Sequence, residues 1–219
     1  MNEIESLSQR GTALAVASPL AEYIVEHFAQ SVDSWDAKAN PQGYIPLCIA
    51  ENHLMDDMLV PWLHRNTEPP ARVLGYDAMV GSQSFREQLA AFFERSFLGR
   101  RFAPEQIASL AGAGTVLEVL FYATADPGDA VHVVFDEIYA MSVFGDASFT
   151  SIAAVRDELG PLVHIVWAFS KDFGASGLRC GVLVSENEAL VRAVDSLAYW
   201  GAVSGHTQWM LGEMISDEG

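Results

Sequence analysis

Apolar residues in this chain fall into two rhythms. Short, mainly apolar runs occur at residues 107–111, 130–135, 162–167 and 180–184, and each predicts a buried strand. Between them, apolar residues recur every third or fourth position: Leu20, Ile24 and Phe28, then Phe85, Leu89, Phe92 and Phe93, then residues 116–125 and 188–200. That spacing predicts helices with one buried face. Ser18 before Pro19, Ser84 with Glu87, and Ser185 with Glu188 supply helix-start chemistry. Residues 44–49 read as one more strand, held to an edge or an entry by Pro46. Trp200, Trp209, Met210 and Met214 read as packing residues. Strands alternating with helices define an α/β protein.

Residues 168–181 carry the chemistry. Lys171 follows the apolar run 162–167, glycines stand at 174, 177 and 181, and Arg179 lies between the last two. A lysine delivered at a strand exit into a partly desolvated cleft can lose its proton and attack a carbonyl. Arg179, always charged and fork-shaped, suits a phosphate. The run 180–184 reads as a strand paired with the lysine strand through the glycine turn.

Two further strand exits bear on the same region. Gly112-Ala113-Gly114-Thr115 joins a strand to a helix, so helix N-terminal amides there either meet an anion or merely permit close packing. Asp136 ends the run 130–135 and Tyr139 follows three residues later. Both could face the crevice that Lys171 faces, since open α/β sheets bind ligands at strand carboxyl ends, or Asp136 could simply cap a helical turn. Glu51 and Asn52 follow the run 44–49, where Glu51 is otherwise an ordinary solvated acid.

Composition narrows the classes. With 219 residues, half of them hydrophobic, the chain can bury a sizeable core. A formal net charge of -17 argues against nucleic acid or an anionic membrane as partner. No apolar run reaches membrane-spanning length. The six histidines form no metal-ligand spacing with acids or cysteines, so no metal site is expected. Cys48 and Cys180 are far apart, and the N-terminus lacks leader-like patterning, which together predict a reducing, cytoplasmic setting. Neither a Gly-x-Ser-x-Gly elbow nor a Walker loop occurs.

Ser170-Lys171-Asp172 with Gly174, Gly177, Arg179 and Gly181, together with Asp136-Glu137-Ile138-Tyr139 and Ala50-Glu51-Asn52, resembles the fold-type I, pyridoxal-phosphate-dependent class I/II aminotransferases. Within that family the resemblance is to the 1-aminocyclopropane-1-carboxylate synthase-like branch. It implies a three-layer α/β large domain. It also implies that Lys171 forms the imine with pyridoxal 5'-phosphate and shuttles the substrate α-proton, and that Asp136 pairs with the ring nitrogen. Tyr139 would bond the ring hydroxyl oxygen, while Ser170, Arg179 and the amides of Ala113, Gly114 and Thr115 hold the phosphate. Ala50 and Glu51 would lie on the substrate side. Tyr76 would reach the phosphate of a neighbouring subunit, which makes a homodimer the expected assembly.

The chain departs from the family pattern in places. Ala168 stands where relatives carry a serine of the phosphate cup. Only six residues separate Asp129 from Asp136, where the family inserts a long segment that includes central strands and the aromatic residue stacked on the cofactor. The chain also ends at Gly219, before most of the small C-terminal domain. The expected organisation is therefore an N-terminal arm and docking helix over 1–50, an incomplete cofactor-binding domain over 51–200, and the start of a truncated C-terminal domain over 201–219. Two functional classes follow: an enzyme acting on an amino acid by transamination or by β- or γ-elimination such as C–S cleavage, and a catalytically inactive remnant of that family.

Overall fold

The computed structural model describes residues 8–16, 20–65, 68–126 and 131–217. The chain divides into two compact units, residues 1–50 and 51–219. The first holds α1 (Gln9–Val16) and α2 (Glu22–Gln30), the latter carrying the predicted Ile24 and Phe28. The cap expected at Ser18 and Pro19 lies outside the described residues. The strand expected at 44–49 is not formed. Tyr44 makes only an isolated bridge to Ser34, and Leu47 is 92% exposed. Proline 46 contributes no N–H, and an extended segment without a neighbouring strand leaves its other backbone groups to water.

In the second unit α3 (Asp56–Arg65) precedes α4 (Gln83–Phe93). Then come β1 (Ile107–Leu110), α5 (Ala113–Thr124), β2 (Val133–Asp136) and the short α6 (Ile152–Val155). The order ends with β3 (Val163–Ala168), α7 (Phe169–Asp172), β4 (Gly181–Ser185), α8 (Glu188–Ala198) and α9 (Gly205–Ser216). The four strands form one mixed sheet in the order β1-β4-β3-β2. β2 runs parallel to β3, with Asp136 beside Val166, while β4 is antiparallel to both β1 and β3. The lysine strand and the glycine-rich return are thus paired as expected.

Alternation along the central strands sends side chains to two cores, which makes the unit a three-layer α/β structure. On one face Ile165, Trp167 and Val184 meet Phe85, Leu89, Phe92 and Phe93 of α4 and Leu211 and Ile215 of α9. On the other, Val166 and Leu183 meet Val116 and Leu120 of α5 and Leu190, Val191 and Val194 of α8. Trp167, fully buried, has its ring centroid 5.3 Å from that of Phe93 and 4.8 Å from that of Phe169. Truncating so central an aromatic would cost about 3–5 kcal/mol.

Four local expectations are corrected. The side chain of Ser82, not Ser84, caps α4 by accepting from Phe85 N–H, and Asn187, not Ser185, caps α8 by accepting from Leu190 N–H. Each time a competing capping residue two positions away is better placed at the turn. β2 is half-exposed where a buried strand was expected, with Val133 at 45% exposure, because its only described neighbour is β3. Trp200 is 89% exposed, beyond the reach of either core.

Candidate functional site

Because β2 and β3 are parallel, their carboxyl ends lie at one edge of the sheet. Asp136 ends β2, and Lys171 follows the end of β3 within α7. Asp136 Oδ1 accepts from Ile138 N–H at 3.2 Å, so this aspartate also closes the turn that its position suggested. The turn continues with Ala140 N–H on Glu137 O and Ser142 N–H on Tyr139 O, both at 3.0 Å. Tyr139 is half-exposed on it. Glu137 is buried, and Ile152 N–H donates to its Oε1 at 3.0 Å, tying the turn to α6. Burial pushes the Glu137 carboxyl above its usual range, against the hydrogen bonds from Ile152 and Ser151 that pull it down.

The lysine turn approaches the Asp136–Ser142 turn through Asp172, a contact that sequence reasoning missed. Its Oδ2 accepts from Trp167 Nε1–H at 2.8 Å and from Met141 N–H at 3.1 Å, while its Oδ1 accepts from Ser142 Oγ–H at 2.6 Å. The only sequence signal was its place beside Lys171. Gly174, at φ +61°, turns the chain back, and a Cβ there would lie 2.6 Å from the backbone oxygen of Asn52. The Glu51-Asn52 segment is thereby brought against the lysine turn. Glu51 itself is exposed and lies 3.4 Å from His53, whose imidazole is pushed up by the hydrogen bond and charge of Asp56 and, more weakly, by Glu51. Ala50 is exposed at the end of the first unit.

Arg179 and the entry to α5 come together where β4 and α5 meet. Gly112 has φ +90°, and a Cβ on it would fall 2.4 Å from Arg179 Nη2, so the guanidinium lies directly over the entry to α5. A Cβ on Gly181 would fall 2.5 Å from Ala113 N, which shows how closely β4 passes the same turn. Arg179 is, among the described residues, the one non-glycine with positive φ, at +50°. That left-handed backbone, costly for a residue with a Cβ, is what turns its side chain back over Gly112, where Nη1 also donates to Ser176 O at 3.0 Å. The first amides of α5 have no acceptor within the helix, and the space beside Gly114 is open. Thr115 Oγ1–H donates to Ala111 O at 3.0 Å, leaving its amide as its donor toward an anion. Ser170 is buried on α7. Fixed cation, helix N-terminus and open space match the phosphate of a cofactor such as pyridoxal phosphate. Tyr76 is 93% exposed.

Residues 129–219 match the family model for aminotransferase class I and II. The chain is 26% identical to 1-aminocyclopropane-1-carboxylate synthase 2 of Solanum lycopersicum, over 87% of this chain and 60% of that protein. Its C-terminal part thus resembles the class I and II aminotransferases. A second relative, 1-aminocyclopropane-1-carboxylate synthase-like protein 1 of Arabidopsis thaliana, is 26% identical over 82% of this chain and 57% of its own length. The chain therefore spans less than two thirds of the curated relatives it matches. The match to the tomato protein runs over 293 positions yet uses 87% of a 219-residue chain, so the relative carries residues inside the matched region that this chain lacks. Among solved structures, aspartate aminotransferase from Thermotoga maritima superposes with a TM-score of 0.67 at 16% identity, covering 97% of this chain and 75% of that one. The aspartate aminotransferase of Rhizobium meliloti gives 0.64 at 12%, covering 92% and 70%. Both share the aminotransferase fold.

Proposed function

We propose that this chain is a pyridoxal-phosphate-dependent enzyme acting on an amino acid, by transamination or by β- or γ-elimination such as C–S cleavage. The observation that carries the reading is the gathering of Lys171, the Asp136–Tyr139 turn and the Arg179–Gly112 phosphate cradle around one end of the sheet. When bound, pyridoxal phosphate supplies a ring that withdraws electrons from the substrate α-carbon. Arg179, Ser170 and the amides of Ala113, Gly114 and Thr115 would hold its phosphate. Asp136 would pair with the ring nitrogen and favour its protonated form, and Tyr139 would donate its phenolic hydrogen to the ring oxygen. Lys171 would supply the amine that holds the cofactor and the base that moves the substrate α-proton. Ala50 and Glu51 border the substrate. Tyr76, exposed in the single chain, contacts the phosphate held by a second copy in a homodimer, in a cytoplasmic setting consistent with two unpaired cysteines.

A second reading, a catalytically inactive remnant of the family, is favoured by the uncovered edge of β2, where Val131 is 81% exposed. We place the residues missing relative to the tomato protein there, between Asp129 and Asp136. One experiment separates the two. Purified chain incubated with pyridoxal phosphate is expected to develop a visible band of lysine-bound cofactor that Lys171→Ala abolishes. A wild-type chain without that band sinks the enzyme reading.

A further inference from the structure

The side chain next to Lys171 carries an inference that rests on the cofactor reading above. Asp172 collects three donors from two separate pieces of chain. One is Trp167 Nε1–H, from the end of β3 before the lysine, and the others are Met141 N–H and Ser142 Oγ–H, from the turn that presents Tyr139. We infer that Asp172 is a positioning residue that locks the Tyr139 turn to the lysine turn, so that the phenol and the amine are held as one rigid pair.

Three features of the surroundings support this role. Trp167 is an immovable reference, fully buried with Phe92, Phe93, Phe97, Phe169 and Phe173 around its ring. A carboxylate bonded to its indole N–H is fixed relative to the core of β3 rather than to a mobile loop. Tyr139 is half-exposed, so its ring packing is a poor anchor and its position follows from the backbone of its own turn. That turn is grasped on one side by Glu137, through Ile152 N–H, and on the other by Asp172. The second contact is the one that bears directly on the distance between Tyr139 and Lys171. β2 has no described strand on its far side, so the Asp172 contacts replace restraint that a neighbouring strand would supply.

Chemistry at the carboxylate makes the test selective. Asn at this position retains the contacts: its Oδ1 accepts from Trp167 and Met141, and its amide donates to Ser142 once that hydroxyl turns to accept. Alanine loses all three. Asp172→Ala and Asp172→Asn are therefore compared with wild type in two states. In the cofactor-free chain, hydrogen exchange of Met141 N–H is expected to rise about tenfold or more in Asp172→Ala and to stay near wild type in Asp172→Asn. In the loaded chain, the pH midpoint of the lysine-bound cofactor band is expected to move by about one unit in Asp172→Ala and little in Asp172→Asn, because Tyr139 no longer sits at a fixed distance from the imine. Unchanged Met141 exchange in Asp172→Ala overturns the lock. Faster exchange with a lowered melting temperature and an unmoved midpoint reduces Asp172 to a structural residue and overturns the positioning role. A wild type without any band overturns the cofactor reading and with it the positioning role, a failure told apart from the others by the wild type alone.

Discussion

His132 Nδ1 lies 2.8 Å from His164 Nε2, and the two rings stack at 5.1 Å, at the end of the sheet opposite the lysine turn. His164 Nδ1 in turn lies 2.8 Å from Ser185 Oγ, so the buried ring is bonded at both nitrogens. Two imidazoles sharing one hydrogen cannot both be charged. Burial, reinforced by His132, pushes His164 down to about 4. The folded state thus prefers neutral His164. Its stabilising contribution is complete above the unfolded value of about 6.5 and is lost as pH falls through 4, about 3 kcal/mol in all. Urea unfolding from pH 7.5 to 4 is expected to show this loss. His164→Gln, which still bonds Ser185 but cannot titrate, should flatten that part of the profile, and an unchanged slope would refute the assignment.

Gly112→Ala is expected to weaken phosphate binding with little effect on the cores. A methyl there meets the Arg179 guanidinium at 2.4 Å and must adopt φ +90°. Since Arg179 carries the cradle's fixed charge, displacing it should weaken pyridoxal phosphate binding about tenfold or more, read by quenching of tryptophan fluorescence. Arg179→Lys should fall between the two, because an ammonium lacks the fork that lies over Gly112. Equal affinity in all three proteins would place the phosphate elsewhere.

Arg100 ties three segments together. Its Nη2 lies 2.6 Å from Glu186 Oε1, its Nε donates to Ala153 O at 3.1 Å, and its guanidinium stands 4.2 Å over the Phe102 ring. Burial works to raise the Glu186 carboxyl, but the Gly160 amide and Arg100 together hold it below its usual range. Arg100→Ala leaves that partly buried carboxylate without its cation and should cost about 2–3 kcal/mol in urea unfolding. The deficit should shrink as pH falls far enough to protonate Glu186. A cost below about 0.5 kcal/mol would make the bridge an ordinary surface pair.

What could be read from the sequence, and what could not, divides along the range of the interactions. Phe85, Leu89, Phe92 and Phe93 showed the buried face of α4 because helical periodicity is local, and Ile165 to Trp167 showed a central strand for the same reason. The positions of Lys171, Asp136 and the Gly112 turn at strand ends were legible because strand ends are visible in the pattern. The contacts of Asp172 leave no mark in the sequence, since its partners Met141 and Ser142 lie about thirty residues earlier and only the parallel pairing of β2 with β3 brings them near. The run at 44–49 failed as a strand for the complementary reason. Its composition suits a sheet, yet no described strand lies beside it to accept its hydrogen bonds.

The same limit explains β2 and leads to the last prediction. Val133, Val134 and Phe135 look like a buried strand by composition, and Val134 and Phe135 do pack toward the two cores. Burial of a strand also requires neighbours on both edges, which no run of residues can announce. With β3 as its single described neighbour, β2 presents alternate backbone N–H and C=O groups outward, flanked by Val131 and Val133 at 81% and 45% exposure. Natural edge strands usually carry a lysine, a proline or a bulge that blocks pairing with another chain, and β2 carries none of these. The wild-type chain is therefore expected to associate through this edge as its concentration rises. Val133→Lys should suppress that association while changing stability by less than about 1 kcal/mol, because the substituted side chain is already half in water. Light scattering over a concentration series, paired with urea unfolding, reads both quantities. Association that persists undiminished in Val133→Lys would assign it to the exposed aromatic residues around Trp200 and Tyr76 instead of the β2 edge.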